Sequence, residues 1–174
     1  MIHTVSGDIL LTKAQAIAHG VGPDDHFTNG LALALREQWP SMPKDFRHWS
    51  HLNHPKPGAV WMWGGVGNHR IFCLLTQDPT GTHGHGGHGS HPGRATVEHV
   101  NHCLRELRHQ LERERITSLA IPRLACGVGG LTWAQVEPLI RHHLDGLDIP
   151  IFLYADYRKG IAAAEPGSAT AAAR

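Results

Sequence analysis

Apolar and polar positions along the chain fall into two kinds of pattern. Short apolar runs of strand length alternate with longer stretches in which apolar residues recur every three or four positions, as on one face of a helix. The strand-like runs cover residues 2–5, 16–21, 58–66, 69–76, 118–122 and 149–154, and the helical stretches cover 30–39, 94–115 and 133–144. This alternation predicts an α/β fold, a three-layer α/β/α sandwich with a central mixed sheet.

The helix at 94–115 is predicted from one apolar stripe with charged residues opposite, formed by Val97, Val100, Leu104, Leu107 and Leu111. In the stretch 30–39, leucines alternate as in a strand, but the intervening alanines leave no polar face. Helix propensity therefore favours a helix, and Pro40 ends it. Gly67 and Asn68 join two strand-like runs, which predicts a hairpin.

A glycine-rich turn between a buried strand and a capped helix is the strongest functional signal. The strand at 118–122 leads into the turn at 126–130, and Thr132 with Gln135 has the spacing of a capping box. Leu131 and Val136 occupy the positions of a hydrophobic staple. Backbone N–H groups at the positive end of a helix suit a phosphate or pyrophosphate. The alternative is an ordinary tight turn, and this loop alone does not decide between them.

Size and charge limit the classes of function. The chain has 174 residues, enough for one domain with its own core. Sixteen Lys and Arg residues oppose fifteen Asp and Glu residues, which gives a formal net charge of +1. This balance excludes a broad basic field for non-specific binding of duplex nucleic acid, but not a local contact with a nucleic-acid end.

No signal peptide and no apolar run of roughly 20 residues is present, so we expect a cytoplasmic protein that contacts no membrane.

The three cysteines, Cys73, Cys103 and Cys126, form no CxxC pair. Cys73 and Cys126 lie in or beside apolar runs, which indicates buried free thiols in a reducing compartment. A nucleophilic Cys126 is the alternative, because a following helix N-terminus can lower a thiol pKa. The sequence places no partner base near it, so the free thiol is the favoured interpretation.

Two segments differ from the rest in composition. A His/Gly-rich loop at 81–93 carries His83, His85, His88 and His91, and an Ala/Gly/Ser-rich tail covers 161–174. We predict a single domain over 1–160 with a disordered tail. The loop is interpreted as a disordered lid without a metal. A zinc site on His83, His85 and His88 is the alternative, although the segment has no cysteine or carboxylate to complete it.

In open α/β sheets, ligands bind beyond the carboxyl ends of the strands. The loops after Val21, Thr76 and Leu124 are therefore expected to surround one cleft. Three blocks of the chain resemble the macrodomain family, which binds ADP-ribose. They are Gly7-Asp8-Ile9-Leu10, then His19-Gly20-Val21 with a loop ending Asn29-Gly30-Leu31-Ala32-Leu33, and Cys126-Gly127-Val128-Gly129-Gly130-Leu131-Thr132-Trp133. The last block is most similar to terminal ADP-ribose glycohydrolases and enzymes that remove ADP-ribose from DNA.

The resemblance implies roles for individual residues. Asp8 would accept the adenine amino group, Ile9 would form an apolar wall, and the glycine loop would wrap the diphosphate. Without the resemblance, Asp8 would be interpreted as a turn residue. The implied partner is ADP-ribose or an ADP-ribosylated protein or DNA, with no cofactor and a monomeric chain. The implied ligand-binding residues are Asp8, Ile9, His19, Gly20, Val21, Asn29, Gly30, Thr76, Cys126, Gly127, Val128, Gly129, Gly130 and Leu131.

The chain departs from this branch of the family at its catalytic position. A lysine usually follows the threonine at the end of the fourth strand, and here Gln77 follows Thr76. Glutamine cannot form a Schiff base and carries protons poorly. Some members use an aspartate in the glycine loop, where this chain has Gly129. The resemblance implies no loss there, because glycine is common at this position in the subgroup that acts on DNA. The candidates for replacing the lysine are the side chains of Asp24, Asp25 and His26, which could activate a water molecule.

Several hypotheses therefore stand at this level. The first is hydrolysis of ADP-ribosyl linkages on protein or DNA without the usual lysine. The second is a non-catalytic reader of terminal ADP-ribose. Hydrolysis of a small ADP-ribose derivative and metal sensing by the histidine loop are weaker alternatives.

Overall fold

The computed structural model describes residues 1–80 and 93–167. In these residues six strands form one sheet in the order β1-β6-β5-β2-β4-β3. The strands are β1 Ile2–Gly7, β2 Ala16–Val21, β3 Val60–Gly64, β4 Arg70–Leu75, β5 Leu119–Pro122 and β6 Ile151–Tyr157. Every neighbouring pair is parallel except β3 and β4, whose antiparallel pairing confirms the predicted hairpin. The sheet is therefore mixed, as predicted.

Within the residues that the structure describes, four α-helices cover the two faces of the sheet. They are α1 Gly30–Gln38, α2 Ser41–Asn53, α3 Val97–Arg113 and α4 Trp133–Leu144. Helices α3 and α4 pack on one face, and α1 and α2 pack on the other, so the layers form the predicted α/β/α sandwich. Among the described helices, none combines the length and apolar character that a bilayer crossing requires.

The apolar stripe of α3 forms one side of the core. Val100, Leu104, Leu107 and Leu111 are buried, as the periodicity predicts. Burying aliphatic side chains of this size stabilises a fold by roughly 1.5–3 kcal/mol each. On the opposite face, Phe46 of α2 contacts Phe27 and Trp61 edge to face. The core is thus divided between the two faces of the sheet, and the loops at its carboxyl edge are left for binding.

The C-terminal boundary differs from the prediction. Residues 161–167 were expected to be disordered, but Glu165 is buried and accepts hydrogen bonds from Thr12, Lys13 and Tyr154. Composition suggested disorder because these residues are small, yet their fold comes from contacts with distant parts of the chain. The rest of the predicted tail, 168–174, lies outside the described residues, as do the candidate metal ligands His83, His85 and His88, together with His91.

Candidate functional site

A cleft of about 210 Å³ opens at the carboxyl ends of β2, β4 and β5. The three loops expected to surround it all contribute to its wall. The lining residues are Gly20, Asp25, Asn29, Gly30, Leu31, Ala32, Gln77, Pro122, Arg123, Leu124, Ala125, Gly127, Val128 and Gly129. The predicted location of the cleft is confirmed.

The glycine loop presents backbone amides to this cleft. Leu131 N–H donates to the Ala125 carbonyl at 3.1 Å and Gly130 N–H donates to the Gly127 carbonyl at 3.1 Å, which curls the loop. Within the described part of the chain, the N–H groups of Gly127, Val128 and Gly129 donate to no protein acceptor. Successive unpaired amides form a concave site for an anion.

Gly129 is the position where the loop tolerates no side chain. A Cβ atom there would lie 2.6 Å from the Ala125 carbonyl oxygen and 2.9 Å from the Ala95 Cβ. Gly130 has a φ of +80°, a conformation that glycine adopts without strain. Gly129 and Gly130 are therefore required by the shape of the loop, whereas a Cβ at Gly127 would have no neighbour within 4 Å.

The capping box predicted at the start of α4 is present. The Thr132 hydroxyl accepts from Gln135 N–H at 3.3 Å, and the Gln135 side-chain oxygen accepts from Thr132 N–H at 2.9 Å. This cap fixes where the glycine loop ends and the helix begins.

We expect Thr132→Ala to lower the free energy of unfolding by about 1 kcal/mol, because Gln135 N–H loses its side-chain acceptor. Urea unfolding followed by circular dichroism measures the change. Thr132→Ser keeps a hydroxyl and should stay within about 0.5 kcal/mol of the parent protein. Equal losses in the two variants would show that the hydroxyl does not cap the helix.

A second set of amides comes from the start of α1. Gly30, Leu31 and Ala32 form its first turn and line the cleft. Asn29 is the N-cap residue, and its side chain makes no capping hydrogen bond. The positive end of the helix dipole therefore faces the same space as the glycine loop. Both elements therefore present backbone N–H donors to the same space, an arrangement suited to an anion.

Asp25 is the carboxylate that lines the cleft. Its Oδ2 accepts from Gly22 N–H at 3.1 Å and its Oδ1 accepts from Phe27 N–H at 2.8 Å. Burial raises the pKa of this carboxyl above its usual value, and the two backbone N–H groups oppose the rise. A carboxylate with a raised pKa at the wall of a cleft is suited to general base catalysis.

Asp24 and His26 are placed differently. The Asp24 carboxylate accepts from Thr80 N–H at 3.0 Å and from the Thr80 hydroxyl, so it links two loops. Both Asp24 and His26 are exposed and lie outside the cleft lining. Of the three candidate catalytic residues in this loop, only Asp25 belongs to the wall of the cleft.

Gln77 lines the cleft but has only 4% of its surface exposed. Its Nε2 donates to the Gly93 carbonyl at 3.3 Å. Gln77 also forms an antiparallel bridge with Ala95, and Asp78 N–H donates to the Arg94 carbonyl at 2.9 Å. These bonds fix the side chain at the position where the resemblance places a lysine.

His19 and Thr76 lie beneath the cleft and do not line it. His19 is 2% exposed, its Nε2 lies 3.2 Å from the Cys73 sulfur, and it packs against Phe27. Burial lowers the pKa of His19 to about 4, so the ring is neutral at physiological pH. A Cβ at Gly20 would lie 2.7 Å from the Thr76 hydroxyl oxygen. Thr76 thus explains why residue 20 is glycine.

Asp8 and Ile9 lie at the end of β1, outside the cleft lining, with 6% and 4% of their surfaces exposed. The Asp8 Oδ1 accepts from Leu10 N–H at 3.0 Å and its Oδ2 accepts from Gly160 N–H at 2.9 Å. Asp8 therefore acts as the turn residue that the local sequence suggests without the resemblance. Each of its oxygens keeps a further lone pair for a ligand.

Other predicted residues flank the cleft without lining it: Val21, Cys126, Gly130 and Leu131. Burial raises the pKa of the Cys126 thiol, which disfavours the thiolate that a nucleophile requires.

Six lining residues were not predicted: Leu31, Ala32, Pro122, Arg123, Leu124 and Ala125. Arg123 and Ala125 adjoin the glycine loop in sequence, and Arg123 stacks on the Trp133 ring at 5.5 Å. Their position between a strand end and the loop was the available signal.

The family follows from comparison with known proteins. A family model described as Macro domain matches residues 28–140, well over half of the chain. The chain belongs to the macrodomain family. The resemblance drawn from the sequence is confirmed, and the fold described above is that of a macrodomain.

Relatives of this macrodomain include glycohydrolases. It is 25% identical over 173 residues to the DNA ADP-ribosyl transferase-DNA ADP-ribosyl glycohydrolase fusion protein of Thermosipho africanus, covering 90% of this chain and 42% of that protein. It is 23% identical over 151 residues to the ADP-ribose glycohydrolase OARD1 of Homo sapiens, covering 86% of this chain and 88% of that protein. The chain thus spans less than half of the fusion protein.

A solved structure shares the fold. Thermosipho africanus DarTG in complex with ADP-ribose matches with a TM-score of 0.77 and 21% identity, covering 92% of this chain and 42% of that chain. The match extends over most of this chain.

Proposed function

We propose that this macrodomain binds ADP-ribose and hydrolyses ADP-ribosyl linkages on protein or DNA. The observation that carries the proposal is a single cleft in which unpaired amides of the glycine loop and the N-terminus of α1 face a carboxylate, Asp25. Two of its relatives are glycohydrolases by name, which supports the same activity.

The cleft supports one orientation of the ligand. The diphosphate binds between the amides of Gly127–Gly129 and the first turn of α1, where the backbone offers donors. The adenine extends toward Asp8 and Ile9 at the end of β1, as the resemblance implies. The distal ribose then lies beneath the loop that carries Asp25 and next to Gln77.

The chemistry follows from this orientation. The Asp25 carboxylate takes a proton from a water molecule as the water oxygen forms a bond to the anomeric carbon of the distal ribose. The glycosidic bond breaks, its electron pair leaves with the protein carboxylate or the nucleobase, and the proton is passed on to the leaving group or to solvent. The substrate diphosphate helps to hold the water in place.

A reader that binds terminal ADP-ribose without hydrolysis is the second candidate. It is favoured by Gln77, which occupies the usual lysine position and whose amide is already hydrogen-bonded to the Gly93 carbonyl. Both candidates use the same cleft, so binding of ADP-ribose does not separate them.

Two measurements test the proposal. Titration calorimetry with ADP-ribose tests binding, and the absence of saturation at millimolar ligand would overturn both candidates. Release of free ADP-ribose from ADP-ribosylated DNA and ADP-ribosylated protein, assayed side by side, tests hydrolysis. Binding of ADP-ribose without its release from either substrate would overturn hydrolysis and support the non-catalytic reader.

Replacing Gln77 by lysine should increase the release of ADP-ribose by about 100-fold, the low end of what a positioned proton carrier contributes. The Gly93 carbonyl can accept from the new ammonium group, and burial lowers a lysine pKa toward neutrality. Gln38→Lys, on an exposed position of α1, is the matched control and should not change the rate. No increase with Gln77→Lys would show that the cleft does not support the lysine-dependent route.

A further inference from the structure

The C-terminal strap, residues 158–167, folds back over the end of β1. Arg158 N–H donates to the Gly7 carbonyl at 3.0 Å, and Asp8 N–H donates to the Ile161 carbonyl at 2.7 Å. Gly160 N–H donates to the Asp8 Oδ2 at 2.9 Å. The strap therefore bonds both the backbone and the side chain of Asp8.

Glu165 anchors the strap to the body of the fold. It is 7% exposed, and its Oε2 accepts from the Thr12 hydroxyl at 2.5 Å and the Tyr154 hydroxyl at 2.7 Å. Its Oε1 accepts from Lys13 N–H at 2.9 Å. A buried carboxylate that receives several donors is held strongly in one orientation. Removing it leaves those donors without a partner, at a cost in free energy.

The strap is packed against β1 without space between them. A Cβ at Gly7 would lie 2.7 Å from the Ala163 nitrogen and 2.8 Å from the Ile161 carbonyl oxygen. Gly7 has a φ of +156°, and the close approach of the two backbones requires glycine there. Contact of this closeness indicates a fixed part of the fold.

We propose that the strap sets the purine specificity of the cleft, with Glu165 as the positioning residue that holds Asp8 through Gly160. This inference rests on the proposed function, in which the adenine of ADP-ribose meets Asp8. A carboxylate fixed by Leu10 N–H and Gly160 N–H directs its remaining lone pairs in one direction. It accepts from the exocyclic amino group of adenine and repels the carbonyl oxygen that replaces that group in hypoxanthine.

Rigidity is what makes this selection effective. A carboxylate free to rotate would turn away from a carbonyl oxygen and would accept from other donors or from water. A fixed carboxylate leaves the carbonyl oxygen of hypoxanthine without a donor. The free-energy cost of such a mismatch exceeds the gain from the correct hydrogen bond to adenine. Selection by Asp8 therefore depends on a distant part of the chain, because Gly160, which bonds its side chain, lies 152 positions away in sequence.

The test compares ADP-ribose with inosine diphosphate ribose, its hypoxanthine analogue, by calorimetry. The parent protein should prefer ADP-ribose by at least about tenfold, the effect of one hydrogen bond to a charged group. Glu165→Ala should weaken ADP-ribose binding by about tenfold and bring the preference close to one, with the hypoxanthine ligand changed by less than about twofold. Glu112→Ala, which removes an exposed carboxylate paired with Arg108, should leave both affinities unchanged.

A milder variant covers the case in which Glu165→Ala does not fold. Tyr154→Phe removes one of the donors to Glu165 and should reduce the preference by about threefold, with thermal unfolding confirming the fold. Loss of affinity by the same factor for both ligands, or an unchanged preference in either folded variant, would overturn the role of the strap. A parent protein that binds neither ligand would instead overturn the proposed function, and the strap's role with it.

Discussion

Gly129→Ala should weaken ADP-ribose binding by about 100-fold or more while the protein stays folded. The added Cβ would lie 2.6 Å from the Ala125 carbonyl oxygen, a backbone atom, and 2.9 Å from the Ala95 Cβ. Neither neighbour is a flexible side chain, so the loop itself must move. The amides of Gly127 and Val128 then lose their alignment, and each hydrogen bond to a charged group is worth about 1.5–3 kcal/mol.

Titration calorimetry of Gly129→Ala against the parent protein measures this loss. Gly146→Ala is the matched control, because a Cβ there would have no neighbour closer than 3.6 Å and the residue lies away from the cleft. Circular dichroism and thermal unfolding check that both variants fold. Parent-like affinity in a folded Gly129→Ala protein would show that the glycine loop does not hold the diphosphate.

The second large effect is expected at Asp25. If this carboxylate is the general base, Asp25→Asn should slow the release of ADP-ribose by about 1000-fold, within the range of such catalysis. Asparagine keeps one oxygen for the loop N–H groups but cannot take a proton. The affinity for ADP-ribose should change far less than the rate, because the diphosphate contacts lie elsewhere in the cleft.

The pH dependence has a defined sign. The base acts in its ionised form, and burial raises the pKa of Asp25 above the usual value of an aspartate. The rate should therefore increase with pH through that raised pKa and fall on acidification sooner than an ordinary carboxylate would allow. Asp45→Asn, on α2 and bonded to Trp63, is the control and should keep the parent rate and profile. An unchanged rate in Asp25→Asn would exclude this base.

Much of the fold could be predicted because its signals are local. The stripe of α3 and the capping box of α4 are set by residues a few positions apart, and both are confirmed. Helix α2 was not predicted; it follows Pro40 and contains Pro43 in its first turn. Proline is tolerated in a first turn, where its missing N–H would have no partner in any case. The signal available in the sequence was the spacing of Met42 and Phe46, apolar residues four positions apart that the structure buries.

The site could be predicted only where one loop builds it. The glycine loop and the start of α1 line the cleft as expected, because each combines a turn and a helix N-terminus in one stretch of sequence. The surroundings of Asp8 and His19 could not be predicted, since they depend on distant residues. Asp8 is covered by Gly160, and His19 faces Cys73 and Phe27 inside the core. Sequence proximity carries no information on such contacts.

The backbone pairing next to Gln77 also bears on how far the chain between its two ends can be lengthened. Gly93 N–H donates to the Asp78 carbonyl at 2.8 Å, so these two residues lie next to each other. Doubling the length of a connection between two fixed ends costs only about 0.6 kcal/mol. A longer connection between Asp78 and Gly93 is therefore expected to cost little in chain entropy.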